Sequence, residues 1–228
     1  MTLPSIKLTY FDIEGAAEPV RLALALGDVP YEDVRIKFSE WADLKKSSPR
    51  GQLPTMSVDG GKPKGESGAM LRYVATLVPE KGLNPPEKLY DIEDIMGLVG
   101  DLKQSFYPCQ YIAMRPQNLG YPEDYGKTEE GAAQIAKLRK AWVADHLPTF
   151  LGHFESALDA HGGNWIASED VTIADCAAVA VLRMFTKGHL DHVDVGCLEI
   201  SPKVIDYVER FCALPEIKGR YNNGLGKV

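Results

Sequence analysis

The chain has 228 residues, enough for one large domain or two small ones with a substantial core. Its 25 lysines and arginines against 32 acids leave a formal charge of −7, which argues against a nucleic-acid partner, because phosphate contacts need clustered cations. The ordinary balance of apolar and charged residues excludes a disordered or fibrous chain.

Residues 6–11 alternate apolar and polar side chains as a short strand does. Gly15 opens a helix with Pro19 in its first turn, where a proline is tolerated, and Gly27 is placed to end it as a C-cap. Residues 31–36 form a second strand, and a strand–helix–strand unit of this size implies a parallel pair. Gly51-Gln52-Leu53-Pro54 precedes a third strand at 55–58; the Leu-Pro bond predicts a turn that presents its backbone groups outward, through a cis peptide if the proline adopts one. Asp59-Gly60-Gly61 then signals a hairpin into a short, proline-bearing edge strand at 62–64. Apolar residues recur at helical spacing from Met70 to Leu77, and Glu66-Ser67 stands at the mouth of that helix, where N–H groups and the helix dipole favour a carboxylate. Read alone, these residues equally describe a proline turn followed by an ordinary helix cap.

Residues 79–86 read as a linker, beyond which strands disappear. A long amphipathic helix runs from Ile92 toward Tyr111, followed by a polar, Pro- and Gly-rich loop or insertion at 115–131. Helix resumes over 132–160 with a break at Pro148. Thr172 and Asp175 form an acidic capping box in front of a dense apolar run, 177–185, which predicts a central buried helix. A last helix lies near 202–214. The expected boundaries are 1–80 for a small α/β domain, 81–89 for the linker and 90–228 for an all-helical domain.

The four cysteines, Cys109, Cys176, Cys197 and Cys212, form no Cys-x-x-Cys pair and read as buried reduced thiols. No apolar run is long enough to span a bilayer, and residues 1–7 lack the features of a secretory signal, so a cytoplasmic protein with no membrane partner is expected. His189, Asp191, His192 and Asp194 are the one cluster resembling metal ligands. They lack a further ligand at a known spacing, so no metal is expected.

Several ordered motifs resemble the cytosolic glutathione S-transferases: Leu8-Thr9-Tyr10-Phe11, Ala17-Glu18 with Arg21, Trp41 with Lys45, Gly51-Gln52-Leu53-Pro54, Ser67 with Leu71-Arg72-Tyr73, Asp101, and the Thr172–Asp175 cap. The resemblance covers nearly the whole chain and implies a thioredoxin-like first domain followed by an all-α domain. The Trp41–Lys45 interval looks most like the sigma class, which includes glutathione-dependent prostaglandin isomerases.

By that resemblance Gln52, Leu53 and Pro54 would hold the glutathione backbone, and Glu66 and Ser67 its γ-glutamyl end. Trp41 and Lys45 would contact the glycyl end, and Asp101 would reach across a homodimer interface. Tyr10 would carry the chemistry. A neutral phenol donating O–H···S⁻ favours the thiolate of glutathione, whose thiol otherwise has a pKa of about 8.5. Cysteine- and serine-type chemistry would need those side chains near residues 12–16, where the sequence is Asp-Ile-Glu-Gly-Ala. Phe11, Tyr107 and Tyr111 are candidates for an electrophile pocket.

Three features depart from related tyrosine-type enzymes. Ala16 stands where an arginine often assists the thiolate. Glu66 stands where glutamine is more usual, and its charge would repel a neighbouring carboxylate unless an N–H or a cation compensates. The 115–131 segment follows the helix that normally walls the electrophile pocket. Three functions follow: conjugation of glutathione to small hydrophobic electrophiles, a glutathione-dependent isomerase or peroxidase, or a non-enzymatic protein such as the lens crystallins and ligand carriers of this fold.

Overall fold

The computed structural model describes residues 2–221. Strand β1 (Ile6–Phe11) turns Ile6, Leu8 and Tyr10 into the core, as its alternation predicts. It is the central strand of a three-stranded sheet among the described residues, ordered β2–β1–β3. Strand β2 (Glu32–Ile36) runs parallel to it with Tyr10 opposite Arg35, and β3 (Thr55–Val58) runs antiparallel with Leu8 opposite Met56. Residues 62–64 do not form the expected fourth strand. A single bridge joins Lys64 to Met56, because Pro63 has no N–H to extend a ladder.

Helix α1 (Glu18–Leu26) makes the crossover between the parallel strands. It is buried along almost its whole length because it packs against α3 (Ser67–Leu77) and also against α7 (Ile173–Met184) of the helical part. Leu22 and Leu24 are fully buried there, and truncating either to alanine would cost about 2–5 kcal/mol. Gly27 ends α1 as its C-cap, as expected; it is right-handed at φ −77°, and Asp28 after it takes the left-handed position at φ 52°. The Val29 N–H reaches the Leu24 carbonyl (2.9 Å) and the Asp28 N–H that of Ala25 (3.1 Å), closing a Schellman motif. Gly27 is small for packing instead: a Cβ there would stand 3.0 Å from Val78 Cγ2.

Helix α2 (Trp41–Leu44) is a single turn. Beyond residue 78 the elements are helical: α4 (Leu89–Met114), α5 (Glu129–Asp145), α6 (Leu147–Ala160), α7 and α8 (Pro202–Cys212). The predicted break near Pro148 falls at His146. The 115–131 segment is ordered, with two short 3₁₀ turns, and Tyr125 packs with Ile112 and Ile135 in a small satellite core. Helix α7 is the buried centre of the helical part, started by the predicted cap. The Asp175 carboxylate accepts from the Thr172 amide (2.8 Å) and hydroxyl (3.2 Å), from the Ile166 amide (3.1 Å) and from the Tyr207 phenol (3.0 Å). One continuous hydrophobic cluster runs from β1 and α1 through α4 and α7 to α8. No described helix is long and apolar enough to cross a membrane.

Candidate functional site

Tyr10 lies one residue from the carboxyl end of the central strand, the edge at which open α/β sheets bind ligands. The turn that follows folds back over its ring. Gly15, at φ +44°, lies so close that an added Cβ would be 2.6 Å from Tyr10 Oη. The Ala16 N–H donates to that oxygen at 3.1 Å. Because the phenol oxygen accepts from the backbone, its own proton remains available to donate outward. Arg21, fully buried, braces the turn from below: it donates to the Ile13 carbonyl (2.7 Å) and to Asp33 (3.1 Å), with its guanidinium carbon 5.9 Å from the centre of the Tyr10 ring.

Phe11 joins Tyr10 to Trp41. Its ring meets Tyr10 edge-on at 5.4 Å and Trp41 edge-on at 5.8 Å, and it stacks on Phe38 at 4.4 Å. Trp41 begins α2, one turn before Lys45, whose Cγ and Cε would both lie 3.4 Å from a Cβ on Gly51. Lys45 thus lies against Gly51. Arg50 (φ 55°) and Gly51 (φ 60°) are both left-handed, and the Leu53–Pro54 bond is cis. Pro54 is buried, Gln52 is exposed, and Leu53 sits just ahead of the β3 ladder, which begins at Thr55 opposite Thr9.

Glu66 is also left-handed (φ 71°, ψ 92°) and precedes Ser67, the first residue of α3. Its exposed carboxylate is paired with Arg50, so a cation from the Gly51 turn supplies the compensation that the sequence left open. The structure therefore connects Tyr10, Phe11 and Trp41 through ring contacts, and Lys45, the Gln52 turn, Glu66 and Ser67 through the Arg50–Gly51 turn. Asp101 is exposed on α4, outside those contacts. Tyr107 and Tyr111, one turn apart on α4, stack on each other at 3.7 Å, with Arg115 5.9 Å above the Tyr111 ring. The two rings lie against one another, with Arg115 over the second.

The His189–Asp194 segment has structural tasks. The Asp191 carbonyl accepts from buried Arg139 (2.8 Å), and Asp194 accepts from the Gly196 amide (2.8 Å). All four cysteines are buried and free, and burial raises their thiols, Cys197 and Cys212 to about 11, so none offers a thiolate near neutral pH.

Sequence reasoning missed the residues that join the two halves of the molecule. Glu14, in the turn over Tyr10, is paired with Arg183 of α7 (3.1 Å) and with Lys187. Arg183 also lies over the ring of Tyr221 at 3.5 Å. The Tyr221 phenol and Arg220 (2.8 Å) both bond the buried carboxylate of Glu18. Burial pushes Glu18 upward, but Arg220, Tyr221 and Arg21 together hold it below the usual carboxylate range. One signal was present: an arginine inside the dense apolar run 177–185 must find a partner.

Two family models match this chain, "Glutathione S-transferase, N-terminal domain" over residues 6–76 and "Glutathione S-transferase, C-terminal domain" over 124–222. Glutathione S-transferase 4 of Caenorhabditis elegans is 30% identical over 95% of both chains. The glutathione S-transferase class-mu 28 kDa isozyme of Schistosoma haematobium is 30% identical over 94% of this chain and all of its own. The crystal structure of the glutathione S-transferase from Ascaris lumbricoides superposes with a TM-score of 0.68 at 27% identity, covering 95% of each chain.

Proposed function

This chain belongs to the glutathione S-transferase family, and from that premise we propose that it conjugates the thiolate of glutathione to small hydrophobic electrophiles, with Tyr10 as the thiolate stabiliser. The observation that carries the reading is the bond from the Ala16 N–H to Tyr10 Oη at 3.1 Å. A backbone donor on the phenol oxygen makes the phenol a better hydrogen-bond donor toward a sulfur held outside the strand end. Lowering the glutathione thiol by two pKa units corresponds to about 2.7 kcal/mol, within reach of a charge-assisted bond in a partly dry site.

In this reading glutathione is the co-substrate and lies along the Gln52-Leu53-Pro54 turn. Leu53 offers main-chain groups to its backbone, and Trp41 and Lys45 take the glycyl carboxylate. Glu66 and Ser67 receive the γ-glutamyl end. The Arg50–Glu66 pair supports this assignment, because it lets an acidic side chain accept the amine while the carboxylate meets the α3 N-terminus without net repulsion. Asp101 completes the amine site from the partner of a homodimer, and Phe11, Tyr107 and Tyr111 line the electrophile side. In this reading Tyr10 and the Trp41–Lys45 interval support a tyrosine-type, sigma-like enzyme that works in the cytoplasm without a metal.

Turnover of a chlorodinitrobenzene-type electrophile by wild type and Tyr10→Phe tests the assignment. Tyr10→Phe is expected to lose roughly tenfold to a hundredfold in kcat near neutral pH while still binding glutathione. Unchanged turnover would remove Tyr10 from the mechanism, and a wild type that neither binds glutathione nor turns over would remove the enzymatic reading.

A further inference from the structure

We infer that Glu14 is a positioning residue for thiolate activation: held by Arg183 and Lys187 of the helical part, it fixes the turn whose Ala16 N–H polarises Tyr10. The inference deepens the transferase reading above and rests on it. Glu14 is two residues before Ala16 and four after Tyr10, and its carboxylate bonds Arg183 Nη2 at 3.1 Å and Lys187 Nζ. Arg183 is nearly fully buried on α7, so its guanidinium cannot follow a moving turn into water. The turn is gripped from the other side as well, by Arg21 on the Ile13 carbonyl (2.7 Å) and more loosely on that of Glu14 (3.4 Å). Between these two grips the chain must take the left-handed Gly15 conformation that brings its backbone against the phenol.

A turn of this kind, with two exposed residues at Gly15 and Ala16, would otherwise sample several backbone states. A hydrogen bond to Tyr10 that forms only part of the time would polarise the phenol only part of the time. The cation pair on Glu14 removes that freedom through Arg183, 169 positions away in the chain, and Lys187 beyond it. It also makes the helical part a determinant of the thiolate chemistry in addition to walling the electrophile. Among the described residues, Tyr221, Cys212 and His189 also feel the Glu14 charge.

The test is the pKa of enzyme-bound glutathione, followed by the ultraviolet absorbance of the thiolate, together with kcat, KM for glutathione and the melting temperature. Glu14→Gln keeps the shape and removes the charge. It is expected to raise the bound thiol pKa by about half to one unit and to lower kcat near neutral pH about threefold to tenfold, with KM within about twofold. Lys187→Met, which leaves the Arg183 contact in place, should shift the same profile by a smaller amount and guards against a folding defect in the first variant. In a Tyr10→Phe background Glu14→Gln should add almost nothing, because both changes act on one bond.

A bound thiol pKa unmoved by either variant, whatever the melting temperature does, overturns the inference. So does a full additive loss on top of Tyr10→Phe. Both failures differ from failure of the transferase reading, in which wild type itself shows no thiolate near neutral pH.

Discussion

Asp175→Ala provides a severe test of the packing that supports α7 and, through Arg183, the Tyr10 turn. The carboxylate is fully buried and accepts four bonds, from two amides and two hydroxyls. The Thr172 hydroxyl can turn to another acceptor, but the amides of Thr172 and Ile166 and the phenol of Tyr207 cannot leave the core. Each orphaned buried donor costs about 1–3 kcal/mol, and removing a costly buried charge returns part of that sum. The expected loss is therefore about 3–5 kcal/mol, against roughly 1 kcal/mol for an exposed cap. Urea unfolding with an unchanged slope measures it, and a melting temperature lowered by about 10 °C should accompany it.

The pH dependence gives a second readout. Burial raises the Asp175 carboxyl above its ordinary range, and the four donors oppose this only in part. Between the unfolded and folded pKa values the native chain therefore binds more protons than the unfolded one. The contribution of Asp175 to stability rises as pH falls through that window. The penalty of Asp175→Ala should be larger in mildly acidic buffer than at neutral pH. A penalty under about 1 kcal/mol, or one that shrinks on acidification, would refute the reasoning.

Three further outcomes are expected. Gly15→Ala places a Cβ 2.6 Å from Tyr10 Oη in a left-handed position; it should cost about 1–2 kcal/mol of stability but about tenfold or more in kcat, and wild-type turnover would contradict the packing described. Arg50→Gln uncovers the Glu66 charge beside the proposed γ-glutamyl site, so steady-state kinetics should show KM for glutathione rising about threefold to tenfold, less at high salt; a fall in kcat at constant KM would count against it. Gly131→Ala would drive a Cβ to 1.9 Å from the Tyr125 carbonyl oxygen, a backbone atom that cannot step aside. Chemical unfolding should register a loss of about 3 kcal/mol or more, and an unchanged midpoint would show that the 115–131 segment yields easily.

Local features were legible in the sequence because their signals are short-ranged. The alternation of β1, the Gly51–Pro54 turn and the Thr172–Asp175 cap each involve residues within a few positions of one another, and each appears in the structure. Where two local rules competed, the reading was incomplete. Gly27 caps α1 as its sequence position suggests, but the left-handed residue that turns the chain is Asp28, one position later. Lys62-Pro63-Lys64 followed a hairpin signal, yet proline limited it to one bridge. The pairs around the candidate site were illegible for a different reason. Glu14 with Arg183 and Glu18 with Tyr221 are 169 and 203 positions apart, and nothing in either local sequence specifies the partner. Even Arg50 with Glu66, 16 positions apart, joins two residues of positive φ on either side of strand β3.

The Glu18 cluster also bears on the order in which the molecule can be completed. Glu18 is buried on α1, but two of its three partners, Arg220 and Tyr221, are among the last described residues. During synthesis from the N-terminus the sheet and α1 emerge long before those partners exist. Until then the nascent first part would have to hide a carboxylate opposed only by Arg21, or keep α1 partly open to water. The turn over Tyr10 adjoins that same helix end. Completion of the proposed thiolate site is thereby tied to the arrival of Arg220 and Tyr221, and a copy lacking those two residues is expected to lose the order of the Tyr10 turn before it loses its fold.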